Sequence, residues 1–142
     1  MNGQKFLNSD IRKRLKSLGA ALVYLYGSEA LGAATRLSDL DVGVVLEKPD
    51  ILRQREERAR LRSELSQCLE PVLAARGERE IDLVFLQMAS PVLQFEAINA
   101  GYPLFVVDPI FKADYEARVI RDYLDIQPLV EAHYQAVLDR IG

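Results

Sequence analysis

Gly27-Ser28 and, ten residues further on, Asp39-Leu40-Asp41 are the residues whose types and spacing could do chemistry. A glycine lets an anion approach the backbone with no Cβ in the way. Ser28 adds a hydroxyl, and it can cap a short helical turn over Glu29 to Leu31 whose free N–H groups would face a phosphate. Asp39 and Asp41 are two apart, so on a strand their carboxylates share a face and Leu40 points the other way. Like charges held this close repel and raise each other's pKa. A divalent cation removes the repulsion, and Mg²⁺ is held in this way, by one or two carboxylates plus substrate phosphate oxygens. Taken singly, each half has a plainer reading: Gly27-Ser28 as an ordinary strand-to-helix bend, Asp39 as a turn cap. The joint pattern, set between two apolar runs, is far more specific.

Those runs are the elements that must position the site. Ala20 to Tyr26 and Val42 to Leu46 are short, rich in Val, Leu and Tyr, and bounded by Gly and Ser, as buried strands are. Gly27 then sits at the exit of the first strand and the Asp pair at the entry of the second. Antiparallel neighbours would bring exit and entry to one edge of the sheet. A third strand is expected over Arg79 to Leu86, with Asp82, Val84 and Leu86 on one face and Ile81, Leu83 and Phe85 on the other. An acidic residue leading an apolar strand is costly if buried without a partner. Asp82 is reasonable there if it reaches the same cation, with Glu80 on the same face as the alternative. The plain reading is a surface Asp at a strand entry.

The pattern Gly-Ser, ten residues, Asp-x-Asp resembles the signature of the DNA polymerase β-like nucleotidyltransferase superfamily, and most of all its minimal nucleotidyltransferase (MNT) branch. The segment Phe95 to Phe105, a helix ending in Gly101 and leading to a short strand, is similar to the MNT antitoxins as well. The resemblance spans roughly residues 20 to 107 at the level of motifs and is strongest from 26 to 45. It implies that Asp39 and Asp41 hold Mg²⁺, that Asp82 is the third carboxylate, and that Gly27 and Ser28 grip the triphosphate of ATP. Leu31 departs from the family, many of whose members carry a basic residue there; Arg36 lies nearby and could substitute.

The remaining chain reads as helices with one more strand. Ile11 to Leu18 is a basic amphipathic helix opened by Ser9-Asp10 and stopped by Gly19, its four basic residues most simply a solvated face. Lys48-Pro49-Asp50 marks a turn, and Ile51 to Ala75 a long charged helix that Pro71 should kink or split. Ser90-Pro91 opens a helix to about Ala100. Tyr102 to Val107 is a fourth strand, expected at an edge because Pro103 cannot donate a ladder hydrogen bond. Asp108-Pro109 starts a last helix running to Ile141 with a kink at Pro128. Its apolar stripe (Val119, Tyr123, Ile126, Val130, Tyr134, Val137 and Ile141) is wider than a helix lying on a sheet requires, and Tyr115, Tyr123 and Tyr134 suit a contact surface for a partner or a second copy of the chain.

Bulk properties narrow the classes. At 142 residues the chain is expected to form one domain, 1–142, with its C-terminal helix at about 109–141. Hydrophobic content of 49% and charged content of 27% are globular values, and a net charge of −3 argues against a dedicated nucleic-acid binder. Cys68, the single cysteine, excludes an internal disulfide and sits in an apolar helical stripe as a core residue. One His and one Cys make no zinc constellation, and His133 reads as a surface residue. No run has signal-peptide or transmembrane character, so a cytoplasmic protein is expected. The expected fold is mixed α/β: a four-stranded sheet flanked by helices. The resemblance implies Mg²⁺-dependent transfer of AMP from ATP to a tyrosine of a HEPN ribonuclease toxin, silencing it. Two alternatives stand beside it: nucleotidyl transfer to a small molecule such as an aminoglycoside, and an antitoxin that masks its toxin by binding alone.

Overall fold

A computed structural model describes residues 7–27, 40–73 and 80–141. Ser28, Leu31, Arg36 and Asp39 lie outside the described residues, as does the turn expected after Ser28. Helix α1 (Ser9–Ser17) starts where the Asn8 side chain accepts from the Ile11 N–H at 2.9 Å. It leads into β1 (Ala20–Tyr26), buried along its whole length. The second strand, β2 (Leu40–Leu46), begins two residues before the expected start, so Asp41 lies inside the strand. Its ladder explains the extension: the Leu40 N–H donates to the Glu80 carbonyl at 2.9 Å, a partner invisible from β2's own sequence.

The long charged segment is a 3₁₀ turn (Pro49–Arg53) followed by α2 (Arg55–Leu73). Pro71 does not split α2, which runs through it to Leu73. The third strand, β3 (Ile81–Phe85), is shorter than expected, since the chain turns into a 3₁₀ turn at Leu86–Met88. Helix α3 (Pro91–Ala100) is capped as its sequence predicts, with Ser90 Oγ accepting from the Leu93 N–H. Strand β4 (Tyr102–Val106) and helix α4 (Pro109–Ile141) complete the chain, and α4 continues through Pro128 as one element.

The sheet order is β3-β2-β1-β4. β1 is antiparallel to both β2 and β4, and β2 is parallel to β3 through the α2 crossover. Pro103 is thus on an edge strand, as its missing donor requires. One face carries Val23, Leu25, Val42, Val44, Leu83 and Phe85 against Leu15 of α1 and the α2 row Leu61, Leu65, Leu69 and Leu73. The opposite face carries Tyr24, Tyr26 and Val45 against Leu86, Ala97 of α3, and Tyr115 and Val119 of α4. Cys68 packs at the rim of the first core, its thiol pushed up by burial, which is the behaviour of a packing residue. Tyr115 departs from the expected contact surface: it is buried, and its hydroxyl donates to Gln94 Oε1 at 2.9 Å.

Candidate active site

Asp41 and Asp82 are side by side. The parallel register of β2 and β3 pairs them directly, and strand alternation turns both toward the α3–α4 face. The antiparallel register of β1 and β2 sets Tyr26 opposite Asp41. Three strand positions from three segments therefore meet at one end of the sheet. The expected juxtaposition of β1 exit and β2 entry is what the ladder produces.

Gly27 closes this corner. Its φ of +75° lies in the left-handed region that side chains avoid. A Cβ built there would collide with Asp41 Oδ2 and come within 3.1 Å of its Cγ. Backbone and carboxylate approach so closely that only glycine fits. Gly101, at the end of α3, has a similar role one layer behind: a Cβ there would come 2.9 Å from the Tyr26 Cβ.

Two residues that sequence reasoning passed over belong to the corner. Burial pushes the Tyr26 phenol up to about 12, and the negative charges of Asp41, Asp82 and Glu96 act in the same direction. Tyr26 is thus a neutral phenol among three carboxylates, and Glu96 of α3 faces the same cluster. The alternation of Tyr24 and Tyr26 along β1 was the available signal for Tyr26. Glu96 carried none, because only tertiary packing brings α3 over the strand ends. Glu80 takes a backbone role, its carbonyl tying β3 to β2, while Asp82 is the acidic side chain in register with Asp41.

Two adjacent carboxylates of hard oxygen donors suit Mg²⁺, whose shell is completed by water and phosphate oxygens. Among the described residues no group of three or more ligating side chains forms a metal site, and Asp39 lies outside them.

A family model described as polymerase β nucleotidyltransferase matches residues 9–110. The chain belongs to that nucleotidyltransferase family. The match takes in all four strands and the corner of Gly27, Asp41 and Asp82. Among solved structures, a toxin–antitoxin complex with AMP-PNP contains a chain 28% identical, with a TM-score of 0.62 over 95% of this chain and 98% of that one. A mutant of the toxin–antitoxin pair MntA-HpeT is similar at 27% identity and a TM-score of 0.63, over 95% and 98%. The tri-AMPylated Shewanella oneidensis HEPN toxin in complex with MNT antitoxin matches at 25% identity and 0.56, over 93% and 92%. No curated protein matches the chain significantly. No helix among the described residues of this nucleotidyltransferase is long and apolar enough to cross a membrane.

Proposed function

We propose that this nucleotidyltransferase is the MNT-type antitoxin of a HEPN toxin, and that it transfers AMP from ATP to a tyrosine hydroxyl of that toxin in the cytoplasm. The observation that carries the reading is the in-register pair Asp41 and Asp82 with Gly27 closed against Asp41. The similarity to complexes that hold AMP-PNP or an AMPylated HEPN toxin supports the choice of nucleotide and acceptor.

In the proposed reaction the acceptor oxygen bonds to the α-phosphorus of ATP. The bond from that phosphorus to the bridging oxygen of the β-phosphate breaks, and pyrophosphate leaves with the electron pair. The hydroxyl proton passes to Asp82 and from there to solvent. Asp39, Asp41 and Asp82 would hold Mg²⁺, which when bound neutralises charge on the triphosphate and on the attacking oxygen. Gly27 and Ser28 hold the β- and γ-phosphates. Tyr26 remains a neutral phenol beside the carboxylates.

The second half of α4 is the proposed grip on the toxin. Leu129, Tyr134, Leu138 and Ile141 are 73%, 64%, 61% and 78% exposed, an apolar surface that a partner would cover. The test combines both claims. Purified protein is incubated with α-labelled ATP, Mg²⁺ and the HEPN toxin encoded beside it. Label should enter the toxin, and it should vanish with chelator or with Asp39→Asn plus Asp41→Asn. Stable complex formation without label would select masking by binding alone. Deleting residues 129–142 should leave ATP binding intact and weaken toxin association; unfolding of the truncated chain would make the stripe core.

A further inference from the structure

We propose that the groove between α1 and the end of β4 is a second anion site, which takes a small polyphosphate without a metal ion. It lies apart from the catalytic corner and does not depend on the reading of that corner. α1 packs on the sheet face opposite the one to which Asp41 and Asp82 turn. Val106 is in register with Leu22, near the start of β1, whereas Gly27 follows the end of that strand.

Helical spacing sorts the four basic residues of α1. Arg12 and Lys13 stand four and three residues before Lys16, so they share a side of the helix. All three line the groove, together with Phe105, Val106 and Val107. Arg14 falls on the other side, where its charge acts on the Cys68 thiol of α2. Lys13 and Lys16 are exposed. Arg12 is half-buried with its guanidinium 5.5 Å from the centre of the Phe105 ring, a contact that fixes where this charge stands. Among the described residues no carboxylate lines the groove, and none pairs with Lys13 or Lys16. Asp108, next in the chain after Val107, is engaged at the start of α4, its Oδ1 accepting from the Ile110 N–H at 2.9 Å.

Like charges at these spacings destabilise a helix, and a bound anion removes that cost. The net charge of the chain is −3, so the groove is a local positive site on an acidic protein. A cleft lined by one sign of charge and walled by apolar groups focuses the field on whatever enters it. The groove holds about 420 Å³, the size of a small-molecule site. Arg12 and Lys16 are about 6 Å apart along the helix axis, a length that a short chain of linked phosphates spans. Such a chain carries several negative charges, so one molecule meets all three cations and needs no metal. A nucleic-acid strand calls for a track of about 4–16 nucleotides, longer than the nine residues of α1 provide.

Calorimetry with inorganic tripolyphosphate, in chelator at about 0.15 M salt, should show one molecule bound per chain. Lys13→Gln with Lys16→Gln should weaken that binding at least about tenfold. Arg14→Gln should change it less than about twofold. All three substitutions place a good helix former at an exposed position, so the variants should fold like the parent by circular dichroism. On titration of the parent, the largest amide shifts should fall in α1 and at Phe105 to Val107. Absence of binding by the parent, or an equal loss with Arg14→Gln, would overturn the proposal and leave the row a solvated helix face. A tetraribonucleotide bound at least about tenfold tighter than tripolyphosphate would overturn it too, making the groove a strand track. The catalytic reading fails by another signature, normal AMP transfer by Asp41→Asn, which leaves these measurements untouched.

Discussion

The two ends of the central strands are built on opposite principles. At one end Gly27, Asp41 and Asp82 crowd together, with Tyr26 held neutral among carboxylates. At the other end the Gln87 amide pairs with the Leu46 backbone in both directions, its Oε1 accepting from the N–H and its Nε2 donating to the carbonyl, each at 2.8 Å. The Glu47 N–H adds a bond to the Gly19 carbonyl at 3.0 Å. One end accumulates like charge; the other pairs the Leu46 backbone and the Glu47 N–H with neutral partners. Charge gathers at the first end while the second end and the two cores hold the same strands in register.

The largest expected effect comes from removing charge at the crowded end. Asp41→Asn should lower AMP transfer by about a thousandfold, roughly 4 kcal/mol of transition-state stabilisation. Asp82→Asn should lower it at least about a hundredfold with little change in ATP affinity. Both variants should remain folded. Steady-state kinetics with thermal melts checks this, and a small loss for Asp82→Asn would move its role to Glu80.

Gly27→Ala probes the same end through the backbone. The new Cβ meets Asp41 where φ is +75°. A displacement of order 1 Å in a reacting group costs about a hundredfold in rate, and the left-handed conformation adds about 1–2 kcal/mol of destabilisation. A variant with parental turnover would show that Asp41 has no need of this close approach.

The neutral end should respond in the reverse sense. Gln87→Ala leaves the Leu46 N–H and C=O without their partner and should cost about 1–3 kcal/mol in denaturant unfolding. The kcat of the folded variant should be unchanged. A loss of turnover in folded protein would mean that the two ends are coupled.

The smallest effect concerns the layer between them. The Tyr24 hydroxyl donates to Glu116 Oε2 at 2.6 Å, and Tyr24→Phe should cost about 1 kcal/mol. Burial holds the Tyr24 and Tyr115 phenols well above the usual tyrosine range. The sign follows from the folded state keeping protons that the unfolded chain loses above about pH 10. Stability is therefore fully present at neutral pH and falls as pH rises past about 10, by up to about 1.4 kcal/mol per pH unit for each such tyrosine. Tyr24→Phe should flatten that decline, as unfolding curves between neutral and alkaline pH would show.

The sequence by itself determined the elements and their order. A continuous apolar run marked β1 and an alternating one β3, Ser90 and Asp108 marked helix starts through their caps, and Pro103 marked an edge strand, because each signal is local and acts through a side chain's own geometry. Gly27, Asp41 and Asp82 stood out for the same reason: their types are conspicuous at strand ends. Local signals did not carry where the ladder extends β2 back to Leu40, that α2 passes Pro71, or that Tyr115 is buried. Only the tertiary structure decided that Asp82 is in register with Asp41 and that Tyr26 and Glu96 join them. Those facts depend on which strands pair and in what register, and pairing is fixed by burial of both sheet faces at once, a property of the whole chain that no single stretch encodes.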